Sequence, residues 1–182
     1  MSRIFGEIRQ IAFVVRDIDQ AMEYWARTLG VGPFYIKRGL QFSDYRYQGR
    51  LQPSPSVSIA LSQSGPVQIE LIQQHDEHPS VYKDFLDRDR EGLQHISSWH
   101  TRAGFDLKKA ELLEQGLSLA QECTIPSSGV RLAYFATETP DGQGLIFEIS
   151  DLMEPRQLAR VQSIARTAEK WNGEQAVIEI HA

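Results

Sequence analysis

The chain has 182 residues, 41% of them hydrophobic and 24% charged, the balance of a folded domain and not of a disordered segment. Its net charge of −5 leaves no broad basic face for nucleic acid, and no apolar run is long enough to span a bilayer, so neither kind of partner is expected. The single cysteine, Cys123, excludes an internal disulfide and reads as a buried structural thiol. The first residues have no signal-peptide layout, so a cytoplasmic location is expected.

Residues 8–15 read as a first strand. Asp17 or Asp19 then caps a helix running to about residue 29, with Ile18, Ala21, Met22, Trp25 and Leu29 at helical spacing and Gly30 as its stop. Strands are expected at 34–40, 42–47, 56–62 and 67–73, with Gln-Pro-Ser-Pro at 52–55 breaking the chain between them. Residues 74–92 form a polar connection with a short helix at 80–86. The pattern then restarts: a strand at 92–99, a helix at 105–115 stopped by Gly116, and strands at 118–125, 129–136 and 144–150 with a turn at Pro140-Asp141-Gly142. Residues 155–171 read as a helix with Leu158, Val161, Ile164, Ala165 and Ala168 on one side and Arg156, Arg160, Arg166 and Lys170 as a solvated face, followed by a short strand at 176–180. The expected organisation is one domain over residues 1–152, made of two modules at about 8–74 and 92–152, with residues 153–182 as a packing or dimer arm.

The order strand, helix, several strands thus occurs twice, and each copy closes on an acid among β-formers, Ile-Glu-Leu at Glu70 and Phe-Glu-Ile at Glu148. A buried carboxylate is costly unless something pairs with it. Gln10 in the first opening strand corresponds to His95 in the second, and Glu70 to Glu148. By strand alternation Gln10 shares a face with Ala12 and Val14, and Glu70 with Gln68 and Ile72, opposite the apolar residues that face each helix. If the two sheets curl into one cup, Gln10, Glu70, His95 and Glu148 converge. One imidazole, one amide oxygen and two carboxylates suit an open, oxygen-rich site for Ni, Co, Zn, Mn or Fe. The bland alternative makes them hydrogen-bonded strand residues and ion pairs.

Three stretches, residues 8–19, Gly92-Leu93-Gln94-His95-Ile96 and Leu145-Ile146-Phe147-Glu148-Ile149, together resemble the vicinal oxygen chelate superfamily, the group of glyoxalase I, methylmalonyl-CoA epimerase, bleomycin-resistance proteins and extradiol dioxygenases. The resemblance implies an α+β fold of paired βαβββ modules forming an incomplete, curved β-barrel around a divalent metal ion, with the helical tail appended. It places Gln10, Glu70, His95 and Glu148 at the four ligand positions. Gln10 stands where most bacterial members have His, and the set resembles that of eukaryotic glyoxalase I. A Gln there argues against the two-His, one-carboxylate dioxygenase site. Gln94 stands where the epimerase often shows a second His.

The closest look is therefore glyoxalase- or epimerase-like: an isomerase or lyase that abstracts a proton next to a metal-bound carbonyl of a small-molecule substrate, with Glu148 as base and Glu70 opposite. The alternative is a non-catalytic small-molecule binding protein of the same fold. A homodimer is the expected assembly. The pocket is expected to be lined by Trp99, Tyr134 and some of Tyr35, Phe42, Tyr45 and Tyr47. Arg46, Arg50 and Arg131 read as solvated, and His75, His78, His100 and His181 lie off the repeated pattern.

Overall fold

A computed structural model describes residues 2–137 and 144–180. The first strand, β1 (Gln10–Val14), leads to α1 (Ile18–Leu29). Asp17 caps α1 by accepting from the Gln20 N–H, and Gly30 ends it in the left-handed region at φ 67°, which a side chain would strain. β2 (Phe34–Leu40), β3 (Ser43–Tyr47), β4 (Arg50–Leu51), β5 (Val57–Ser64) and β6 (Val67–Gln74) follow. The connection carries α2 (Val81–Asp87), capped by the Ser80 hydroxyl. The second copy is β7 (Gly92–Trp99), α3 (Arg102–Glu114), β8 (Ser118–Ile125), β9 (Val130–Ala136) and β10 (Ile146–Ser150), and the tail is α4 (Pro155–Glu169) and β11 (Val177–Glu179). The expected turn at Pro140–Gly142 and His181 lie outside the described residues.

These strands form one mixed sheet in the order β11-β2-β5-β6-β1-β7-β10-β9-β8-β3-β4. β1 pairs in parallel with β6, β7 in parallel with β10, and β1 meets β7 antiparallel. The two modules are thus joined edge to edge within one chain, about the β1–β7 seam. Val15, Ile18, Met22, Ile69 and Leu71 pack α1 on the outer face of the first half. Phe105, Leu112, Phe135, Phe147 and Ile149 do the same for α3 on the second half. The inner faces share one core, in which Leu40 and Val57 of the first half meet Cys123, Val130 and Leu132 of the second. The sheet is therefore curled but open, and Cys123 is the buried structural thiol that was expected.

Besides the short strand β4, which was not expected, two elements depart from the sequence reading. β3 leaves its own module and pairs with β8, because its buried Tyr45 is held across the cup: the phenol donates to the Pro79 carbonyl at 2.7 Å and lies 2.9 Å from Gln121 Oε1. α3 begins three residues before the expected 105, because the Thr101 hydroxyl caps the Gly104 N–H and draws in a polar first turn that apolar spacing does not report. α2 buries Val81, Tyr82 and Phe85 in the shared core. The tail folds back on the same chain: β11 pairs with β2, and Tyr35 donates to the Thr167 hydroxyl of α4. Among the described residues no helix is long and apolar enough to cross a membrane.

Candidate metal and catalytic site

Four adjacent strands set the site by register. In one cross-strand row Glu70 of β6 stands beside Ala12 of β1, which stands beside His95 of β7. In the next row Gln68, Gln10, Ser97 and Glu148 stand side by side across β6, β1, β7 and β10. Alternation puts all of these on the inner face. Ala12 is small, so nothing separates Glu70 from His95 across the central strand.

His95 is fully buried, and its Nε2 lies 3.3 Å from Glu70 Oε2 and 3.5 Å from Glu148 Oε2. Glu70, His95 and Glu148 each offer a ligand atom, and these atoms lie within 4.8 Å of one another. Ser97 Oγ donates to Glu148 Oε1 at 2.7 Å, holding that carboxylate in place. Burial disfavours the imidazolium, but Glu148 and Glu70 outweigh it and hold the His95 pKa at about 9. Burial raises the Glu70 pKa, against the pull of His95 and with a smaller push from Glu148.

A β-bulge tunes the imidazole. Ala12 pairs with His95 and Phe13 with Leu93, so Gln94 is the extra residue. In an unbroken strand Gln94 and His95 would point to opposite faces; here His95 Nδ1 donates to Gln94 Oε1 at 2.6 Å. The amide orientation follows from its other end, where Nε2 donates to the Val81 carbonyl. With Nδ1 as donor, Nε2 is the atom turned to the two carboxylates, as a ligating histidine needs. Gln94→Leu is expected to weaken affinity for a divalent ion by about 10–100-fold with the fold retained, read by metal titration and circular dichroism.

His95 Nε2 and Glu70 Oε2 are buried without a hydrogen bond of good geometry, and Gln68 Nε2 is likewise unsatisfied beside them. Buried polar atoms are nearly always paired. Two such atoms in mutual reach, an imidazole nitrogen and a carboxylate oxygen, fit a divalent ion. Gln10 donates through Nε2 to Gln68 Oε1 at 2.9 Å, which spends the nitrogen and leaves its carbonyl oxygen as the atom able to ligate. Gln10, Glu70 and Glu148 line a cavity of about 120 Å³ together with Gln68 and Tyr134.

Tyr134 stands opposite Glu148 on β9, edge-on to the His95 ring at 5.4 Å. Tyr82 on α2 shares a 2.8 Å hydrogen bond with the Tyr134 hydroxyl. Tyr82 is the donor of that bond, which leaves the Tyr134 proton free for a group in the cavity that Tyr134 lines. Burial raises both phenol pKa values, which keeps both groups neutral donors.

All four expected site residues are thus on one face, with three of them in mutual reach and Gln10 on the same cavity wall. Of the expected aromatic lining, Tyr134 and Tyr35 reach this cavity. Phe42 and Tyr45 are core residues, Tyr47 donates to Asp84, and Trp99 is buried away from the lining. Arg131 is tied to Asp151 and Asp106, so it is structural. Sequence reasoning missed Ser97, Gln94 and Tyr82 as partners of the site. Alternation from His95 would have found Ser97; nothing local marks the bulge at Gln94 or brings α2 to Tyr134.

A family model described as Glyoxalase/Bleomycin resistance protein/Dioxygenase superfamily matches residues 9–134. No curated protein matches the chain. Among solved structures, methylmalonyl-CoA epimerase from Mycobacterium tuberculosis aligns with a TM-score of 0.56 at 21% identity, over 87% of this chain and 95% of that one. A hypothetical protein from Bacillus halodurans C-125 aligns at 0.52 and 19% identity, over 79% and 92%. A Streptomyces coelicolor methylmalonyl-CoA epimerase variant in complex with 2-nitronate-propionyl-CoA aligns at 0.50 and 18%, over 80% and 96%. At these identities the likeness is one of fold. The family match holds Gln10, Glu70, His95 and Tyr134; Glu148 and α4 lie beyond it.

Proposed function

Because the chain belongs to the glyoxalase/bleomycin resistance protein/dioxygenase superfamily, we propose that it is a divalent-metal-dependent enzyme that removes a proton from the carbon next to a carbonyl, an isomerase or lyase acting on a small molecule. The observation that carries this reading is the buried Glu70–His95–Glu148 cluster, with unpaired atoms on Glu70 and His95 and with its two carboxylates lining a mostly aliphatic cavity. The likeness of fold to methylmalonyl-CoA epimerases supports the same class of chemistry. A homodimer in the cytoplasm belongs to this reading.

Gln10, Glu70, His95 and Glu148 would hold the ion, Ni, Co, Zn, Mn or Fe, which when bound supplies Lewis-acid polarisation to a substrate carbonyl. Glu148 removes the proton. Ser97 fixes its Oε1, so the carboxylate meets the substrate in one orientation. Glu70, at the equivalent place in the other module, returns a proton from the opposite side. Tyr134 aims its O–H at the oxygen where negative charge develops, and Tyr82 behind it holds that direction. The aliphatic walls keep bulk water from the carbanionic carbon.

Calorimetric titration of the metal-stripped protein with Ni, Co, Zn or Mn at about pH 7.5, in buffers of different ionisation enthalpy, tests the reading. About one ion should bind per chain with release of about one proton, because His95 carries a proton below its pKa of about 9 and must shed it to ligate. No ion binding under any condition would sink the enzyme reading and leave a small-molecule binding protein, in which His95 is a buried cation between two carboxylates.

A further inference from the structure

The cavity over the candidate site is graded. Its floor is polar and acidic, with Gln10, Gln68, Glu70 and Glu148; its walls are aliphatic; its rim carries Lys37 and Arg160. A shallow groove continues outward from that rim, past Tyr35, Ser127 and Ser163, and no acidic side chain lines it. The chain's net charge is −5, and several of its surface cations are paired with acids. Arg38 binds Asp19 and Glu179, and Lys83 binds Glu77 and Asp87. Lys37 meets only the Ser127 hydroxyl, at 3.4 Å, and Arg160 has no carboxylate partner among the described residues. Arg160 belongs to α4, which roofs the cavity with Val161 and Ile164, so this exposed charge, expected on a solvated face, also stands at the mouth.

Register gives the span between the tiers. Lys37 pairs with Ile59 on β5, and Ile59 with Ile72 on β6, two residues along the strand from Glu70. Two strand spacings across and two residues along place the backbones of Lys37 and Glu70 ~12 Å apart. The cavity volume of about 120 Å³ is somewhat below the roughly 150 Å³ of an aliphatic cavity that holds benzene.

We infer that the ligand of this site is a short amphipathic anion: a carbonyl head at the Glu70/Glu148 floor, an apolar body on the order of six carbons under α4, and a carboxylate or phosphate at Lys37 and Arg160. The head assignment rests on the proposed function; the rim assignment does not. Lys37 lies within the family-matched residues and α4 beyond them, so the tail contributes the Arg160 half of this selection.

Octanoate, octyl phosphate and octanamide serve as probes, titrated by calorimetry into the full-length protein as purified, at low salt. Both anions should bind roughly 10-fold or more tightly than the neutral amide, since a charge-assisted contact is worth a decade or more. Arg160→Gln and Lys37→Gln should each cut that preference, and the double variant should abolish it, with octanamide affinity unchanged as the control for an intact cavity. The tighter of the two anions identifies the terminal group. Equal affinity of the three probes, binding of none, or a preference that survives in the double variant because the anion sits at the floor, would overturn the inference. A rim preference in a protein that takes up no metal would leave this inference standing and remove the enzyme reading; metal binding without a rim preference would do the reverse.

Discussion

Glu148→Gln should lower solvent-deuterium incorporation at the carbon next to the carbonyl of any substrate turned over by the metal-loaded protein by about 10²–10⁴-fold, the usual worth of a general base. The substitution keeps size and an acceptor for the Ser97 hydroxyl, which now donates to Glu148 Oε1, and removes the charge and basicity. Metal affinity should fall as well, because one anionic ligand becomes neutral, so the exchange is measured at saturating ion. Glu70→Gln is the informative partner. If Glu70 returns the proton on the far side, this variant retains exchange but loses change of configuration, which proton NMR and chiral chromatography separate. Exchange that persists at the wild-type rate in Glu148→Gln would place the base elsewhere.

His95→Ala should abolish stoichiometric metal binding and, without metal, cost about 3–5 kcal/mol near neutral pH, the typical effect of removing one partner from a buried charged group. The cause is specific: Glu70 and Glu148 would remain buried on either side of an empty place, with their only cation gone. The sign of the pH dependence follows from the raised His95 pKa. Its folded value, about 9, lies above the ordinary 6.5. Its stabilising contribution in the metal-free wild type is therefore complete below about pH 6.5 and lost as pH rises through about 9. That loss should be absent from the variant, which lacks the imidazole. Thermal melts of both proteins, metal-free and with added ion, check this. The wild type should gain stability with ion concentration, by about 4 kcal/mol at 1,000 times the dissociation constant, and the variant should gain nothing.

The halves of the molecule were legible because each repeats one local grammar. Alternation over 8–15 and 67–73 predicts which side of each strand faces α1, and the observed packing of Ile11, Phe13, Ile69 and Leu71 against α1 follows it. The pairing of Gln10 with His95 and Glu70 with Glu148 by repeat position leads to one buried cluster for the same reason: equivalent places in two copies related about a seam come together when the first strands pair. The aromatic stretch 34–50 was not legible. Tyr35, Phe42, Tyr45 and Tyr47 share a composition, yet one reaches the cavity, two fill the core and one caps a contact with α2 through Asp84, since β3 leaves its module for β8.

What residue order dictates here is local: strand faces, the helix cap at Asp17, the repeat, and the four polar positions it singles out. These depend on neighbours within a few residues, whose geometry the backbone sets. What long-range packing decides is everything that depends on distant partners. The Gln94 bulge exists only against β1, and it selects which nitrogen of His95 faces the carboxylates. Tyr82 matters only because α2 closes on Tyr134. Arg160 acquires a place at the cavity mouth only because α4 folds back over β5. Side-chain meetings of this kind, such as Tyr82 with Tyr134 at 52 positions apart and Tyr35 with Thr167 at 132, are set by the balance of packing over the whole core and have no local signature in the chain.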